Sequence, residues 1–202
     1  MENINLYYND IPDTIVWGNE ISIDTETMGL DLTRDRLCLI QIKNQDNTIH
    51  LVQFKDSNYQ CKNLKKLLSN PKILKIFHYA RFDMLAIYSY LNIMCENIFC
   101  TKIASKLCRT YTDKHSLKVL CKELLNIDLQ KEQQSSNWGV EKLSSEQLQY
   151  ASFDVIYLPQ IKNQLTQMLI QENRLILANQ CFNFLQTQVL LDKLNFIDIF
   201  NH

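Results

Sequence analysis

A mixed sheet covered by helices, in an α/β domain, is the fold class this sequence predicts. Three observations predict it. Short apolar stretches at 20–24, 37–42 and 48–52 are separated by polar, turn-forming residues such as Asn44-Gln45-Asp46-Asn47, and so read as a three-strand meander. Strand-like and helix-like patterns then alternate through about residue 100. Beyond that point the pattern is helical throughout. A meander followed by alternating strands and helices is the signature of a mixed sheet with helices packed on it.

The elements follow in order. Residues around 7–17 form a lead-in segment broken at Pro12, and the first strand covers 20–24. Residues 63–68 read as a helix that ends at Ser69-Asn70-Pro71, since the residue before proline leaves the helical region. An apolar strand at 73–77 leads into a helix over 81–91, with Phe82, Leu85, Ala86 and Tyr90 at helical spacing. Residues 98–100 complete a five-stranded sheet. Ser144 with Gln147 three residues later forms a capping box, so a helix begins there, and Pro159 kinks or restarts it.

Composition narrows the function. The 202 residues fit one domain, with 46% hydrophobic and 21% charged residues and only three glycines and three prolines. A net charge of -1 excludes a general coater of nucleic acid, so a polyanion would need a local basic patch or metal ions. No apolar run approaches the ~18 residues that span a bilayer, and the start has no basic-then-apolar order. Seven cysteines, without a Cys-x-x-Cys pair, read as reduced thiols in a cytoplasmic protein.

The chemistry-bearing stretch is Ile21-Ser22-Ile23-Asp24-Thr25-Glu26-Thr27-Met28-Gly29-Leu30. Residues i and i+2 of a strand share a face, so Asp24 and Glu26 stand side by side at a strand end. They repel unless a cation lies between them, and hard divalent ions take oxygen ligands. A solvated strand end is the alternative. Asp83, in His78-Tyr79-Ala80-Arg81-Phe82-Asp83, sits just inside a helix after a buried strand, where either a site or simple helix-dipole complementation is served. Tyr150 and Asp154 are four apart and share a helix face.

Taken together, Asp24-x-Glu26, Asp83 and Tyr150-x-x-x-Asp154 resemble the three acidic motifs of the DEDD 3'–5' exonucleases, in the tyrosine branch, since Gln149 stands where the histidine branch has histidine. Gln134-Ser135-Ser136-Asn137-Trp138 and residues 143–154 look like the catalytic domain of ribonuclease D. Residues 99–107, Arg109-Thr110-Tyr111-Thr112-Asp113, 133–138 and 181–185 are more similar still to single-domain alphaproteobacterial nanoRNase C.

The resemblance implies a ribonuclease H-like fold and a single exonuclease domain over 1–202. It implies hydrolysis of very short RNA, dinucleotides included, to nucleoside 5'-monophosphates, and assembly as a homo-oligomer, a ring of eight. DNA is a second candidate substrate. The competing readings are trimming of structured RNA 3' ends, as in ribonuclease D, and a binding module without catalysis. Two divalent ions, Mg2+ or Mn2+, about 3.5–4 Å apart, are implied as cofactors. By the same analogy Asp24 bridges both ions, Glu26 and Asp154 serve the nucleophile side, Asp83 holds the second ion, and Tyr150 orients the attacking water. Leu30 matches a leucine that wedges between bases, with an ordinary core leucine as its alternative. Expected substrate contacts are Thr25, Leu30, His78, Arg109, Lys114, Gln134, Ser135, Ser136 and Trp138, the last with a packed indole as its alternative. Lys102, Lys106 and Arg109, and Lys114, Lys118 and Lys122, form two basic helix faces; a solvated face is the commoner reason for such runs, and phosphate contacts from some of them are the alternative.

Overall fold

The computed structural model describes residues 3–129, 136–196 and 199–200. Its elements run β1 (Ile4–Tyr8), β2 (Glu20–Thr27), β3 (Leu37–Lys43), β4 (Ile49–Gln53), α1 (Lys62–Leu68), β5 (Leu74–Phe77), α2 (Ala80–Leu91), β6 (Ile98–Cys100), α3 (Thr101–Cys108), α4 (Leu117–Leu125), α5 (Ser145–Ile156), α6 (Leu158–Gln171) and α7 (Leu175–Lys193). The sheet order is β1-β4-β3-β2-β5-β6. β2, β3 and β4 form the antiparallel meander, and β5 and β6 extend it in parallel with β2.

The sheet has six strands, where the sequence pattern predicts five. The sixth is β1, which lies within and before the stretch read as a lead-in. It pairs parallel with β4, Ile4 opposite Ile49 and Tyr8 opposite Gln53. A half-buried edge strand with a partner more than forty residues away leaves little local signal.

The core lies on both faces. Every residue of β3 is buried, so its run Leu37-Cys38-Leu39-Ile40-Gln41-Ile42-Lys43 lacks the polar alternation of an exposed strand. Ile23, Ile40, Ile42, Ile76 and Phe77 pack with residues of α1, α2, α3 and α6. Leu39, Ile49 and Leu51 pack on the other face with Trp138, Leu143, Ala151 and Val155, which seats α5 on β2, β3 and β4. Full burial of one such side chain contributes about 1.5–3 kcal/mol. Pro159 restarts the chain direction: α5 ends at Ile156 and α6 begins at Leu158, with proline in its first turn, where a missing N–H costs nothing.

Arg109 departs from the expectation of a substrate contact. Its side chain is fully buried at the end of α3. The guanidinium pairs with Glu123, donates to Ser105 Oγ and the Lys114 carbonyl at 3.2 Å each, and donates to the Tyr111 hydroxyl at 3.2 Å. Five donors in a rigid fork suit it to staple the loop that joins α3 to α4. It is therefore a structural cation. Lys114 is exposed, and its carbonyl serves the staple. Replacing Arg109 by Ala should lower the free energy of urea unfolding by about 3 kcal/mol, because it empties a fully buried site and takes the donor from Ser105, Glu123 and the Lys114 carbonyl. The same change at Lys106, exposed on the same helix, should move it by less than about 0.5 kcal/mol.

Candidate active site

The site forms where β2 outruns its neighbour. Pairing of β2 with β5 ends at Ser22 opposite Ile76, while pairing with β3 continues to Thr27. The far end of β2 therefore has one strand beside it and an opening on the other side, the crevice geometry in which open sheets place ligands. Asp24 lies opposite Gln41 and Glu26 opposite Leu39, on one face, and a bulge at Glu26/Thr27 redirects the strand just past the acids.

Two helices complete the cluster from opposite layers. Asp154 comes from α5, and one oxygen each of Asp24, Glu26 and Asp154 lie within 4.8 Å of one another. Asp83 comes from the first turn of α2, where Thr25 Oγ1 donates to its Oδ1 at 2.7 Å. Thr25, expected to touch substrate, thus orients an acid while its own side chain is buried. Gln41, which the sequence reading did not single out, donates from Nε2 to Asp24 Oδ2 at 3.3 Å. A glutamine in an otherwise apolar strand, opposite an acid, was the available signal.

The Ser144–Gln147 capping box is present, and the Gln147 amide also donates to Ser136 Oγ at 2.6 Å and to the Asn137 carbonyl at 3.1 Å. Gln53 donates to the Val140 carbonyl at 2.8 Å. These bonds fix the 136–140 segment against α5 and the sheet. Trp138 is 2% exposed and packs with its ring centroid 6.0 Å from that of Tyr150. It backs the tyrosine as a packed indole, the alternative to a base-stacking role, and is not available to stack a base. Gln134 and Ser135 lie outside the described residues.

The cleft holds about 550 Å³ and is lined by Asp24, Glu26, Asp83, Tyr150 and Asp154 together with Thr25, His78, Ser136 and Trp138. Leu30, 85% exposed, stands at its rim, so the core alternative for it does not hold. Thr101 Oγ1 lies 3.1 Å from the Phe77 carbonyl and is hydrogen-bonded to His78 Nδ1 at 2.9 Å. Arg109 and Lys114 do not line the cleft, and among the described lining residues there is no Lys or Arg.

The electrostatics follow from that composition. Burial, then Asp154 and Asp83, hold the Glu26 carboxyl well above the usual carboxylate range. Burial, against the Thr25 bond, raises Asp83 to about 7. Burial, followed by Asp154, Glu26 and Asp24, raises the Tyr150 phenol, so it stays protonated at neutral pH. Four carboxylates crowded in a cleft lined by neither lysine nor arginine are a donor set for hard divalent cations, Mg2+ or Mn2+. Asp24, Glu26 and Asp154 would hold one ion between them, with Asp83 and Asp24 available to a second.

Residues 9–170 match a family described as 3'-5' exonuclease. The chain belongs to this 3'–5' exonuclease family. It is 31% identical over 154 residues to ribonuclease D of Bartonella henselae, an alignment that covers 76% of this chain and 37% of that protein. The curated relatives are thus longer, and this chain spans well under half of their length. Among solved structures, Brucella melitensis NrnC bound to pGG superposes with a TM-score of 0.95 at 43% identity, covering 100% of both chains. Brucella melitensis NrnC with bound Mg2+ superposes at 0.94 and 43% identity over 99% of both chains. Ribonuclease D of Escherichia coli, at 22% identity and a TM-score of 0.74, shares the fold. The ribonuclease H-like architecture expected from the sequence is therefore the one present, with its sixth strand added.

Metal and protons compete for these acids. In the metal-free protein Glu26 and Asp83 have folded-state values above their unfolded ones, so their contribution to stability is present below the unfolded pKa and is lost as pH rises through the folded one, about 7 for Asp83. The stabilisation conferred by Mg2+ should accordingly be larger at about pH 8 than at about pH 6. Thermal unfolding with Mg2+ and with chelator at both pH values measures it.

Proposed function

We propose that this chain is a metal-dependent 3'–5' exoribonuclease that degrades very short oligoribonucleotides, dinucleotides included, to nucleoside 5'-monophosphates. The observation that carries the reading is full-length superposition on NrnC bound to pGG, with four carboxylates and a tyrosine gathered in one cleft here. A second reading, trimming of RNA 3' ends or attack on DNA, draws on the ribonuclease D relatives, of which this chain matches only a part. A module without catalysis is disfavoured because Asp24, Glu26, Asp83, Tyr150 and Asp154 all line the cleft. Cytoplasmic location, and a homo-oligomer in the form of a ring of eight, belong to the same proposal. Among the described residues no helix is long and apolar enough to cross a membrane.

Divalent ions, when bound, neutralise the phosphodiester and lower the pKa of water at the scissile phosphate. The chain's residues supply position. Gln41 and Thr25 hold Asp24 and Asp83 in place from behind. Tyr150, kept protonated by burial and its acidic neighbours, has a hydroxyl proton to donate, and so orients a water or a phosphate oxygen instead of removing a proton. His78 lines the cleft with its Nδ1 already engaged by Thr101. Leu30 offers an exposed apolar side chain at the rim against which bases can rest.

The decisive comparison is an end-labelled dinucleotide against a longer single-stranded RNA, a precursor tRNA and duplex DNA, each with Mg2+ and with chelator. Fast, metal-dependent cleavage of the dinucleotide and slow cleavage of the rest is the expected result, and the reverse order would overturn it. Asp24→Ala and Asp154→Ala should each lower turnover by at least about a thousandfold while the variants stay folded by circular dichroism. Light scattering after size-exclusion chromatography tests the ring independently.

A further inference from the structure

Left-handed backbone in a non-glycine residue occurs at eight described positions, and seven of them are asparagine. Asparagine tolerates this region because its short side chain can bond the local backbone. The eighth position is Tyr79, with φ 67° and ψ 45°. A bulky side chain there carries a conformational cost, and such strain persists where surrounding structure imposes it, frequently at ligand-binding sites. Tyr79 is also the N-cap of α2, and no side-chain bond caps that helix. Asparagine would lessen that strain. The tyrosine is therefore not the residue that the local backbone favours.

Its ring shows what. Tyr79 follows His78 directly and lines the catalytic cleft with Asp83 and Phe82. It also lines the neighbouring groove between α3 and α7, so it forms the wall between the two. It is 47% exposed, against 4% for Asp83 four residues on. The ammonium of Lys102, from α3, lies 4.0 Å from its ring centroid. That contact restrains the ring and places a positive charge behind it, beside a cleft whose own lining has none.

We propose that Tyr79 is a substrate contact: its ring stacks a nucleobase of the bound oligonucleotide, and Lys102 holds the ring in place. The inference rests on the nuclease reading given above. Aromatic platforms recognise any base through its π-face, which suits an enzyme that clears short fragments of mixed sequence. Because the stack is present before and during reaction, its loss should raise KM more than it lowers kcat.

The test compares Tyr79→Asn and Tyr79→Phe with the full-length protein, reading thermal unfolding, dinucleotide kinetics with Mg2+, and calorimetric binding of a nucleoside 5'-monophosphate. Tyr79→Asn should raise the unfolding temperature by roughly 2–4 °C through relief of strain. It should also raise KM and weaken monophosphate binding roughly tenfold, the size of one base–aromatic stack, with kcat changed less than about twofold. Tyr79→Phe should keep all three readings near those of the parent. Unchanged KM and monophosphate affinity in Tyr79→Asn would overturn the proposal, as would a Tyr79→Phe defect equal to that of asparagine. A lower unfolding temperature in Tyr79→Asn would also overturn it, since packing would then account for the tyrosine. If the parent protein proved slow on the dinucleotide, the nuclease reading would fail, and the binding arm would still judge Tyr79.

Discussion

Mutual repulsion of carboxylates at the end of β2 is the constraint around which the molecule is organised. Three of them have oxygens within 4.8 Å of one another, and Asp83 stands close enough to raise the Glu26 carboxyl further. Two unit charges about 4 Å apart repel by roughly 4 kcal/mol at the effective dielectric of a protein surface. Thr25 and Gln41 donate to Asp83 and Asp24, and the rest of the fold keeps the acids together. β2 lies between β3 and β5, and α5 is seated on a core of Leu39, Leu51, Ala151 and Val155. Each acid is thus delivered by an element that the sheet or the core anchors elsewhere.

The same arrangement explains how a protein of net charge -1 can handle a polyanion. The lysines and arginines that the sequence arrays at helical spacing are not in the cleft. Arg109 is consumed by Glu123, Ser105 and the Lys114 carbonyl, and Lys122 pairs with Asp128. On the proposed function, attraction for phosphate would come mainly from ions held by the acids, with Lys102 against the ring of Tyr79 at the cleft wall. Affinity for nucleic acid would then depend on metal occupancy, whereas a basic surface would bind whether or not the catalytic ions were present.

What could be read from the sequence was whatever depends on short-range pattern. Asp24 and Glu26 share a face because strands repeat every two residues, Tyr150 and Asp154 because helices nearly repeat every four, and Ser144–Gln147 marks a helix start by local bonding. What escaped depends on partners distant in sequence. β1 is a strand because β4 accepts it, and Gln41 matters because of the residue opposite. Arg109 was read as a phosphate contact, and only the packed structure shows it enclosed. Tyr79 escaped for another reason: a backbone angle leaves no trace in a single residue, and becomes visible only when the other left-handed positions prove to be asparagine.

Gln147 has a consequence beyond its two roles as cap and loop anchor. Successive residues of an α-helix are turned by about 100°, so shifting the start of α5 by one position would carry Tyr150 and Asp154 away from the acids of β2. The bonds among Ser144, Gln147 and Ser136 set the azimuth of the helix before any side chain reaches the cleft. They act as an indexing pin, which lets an element held mainly by non-directional apolar packing present two groups with angular accuracy.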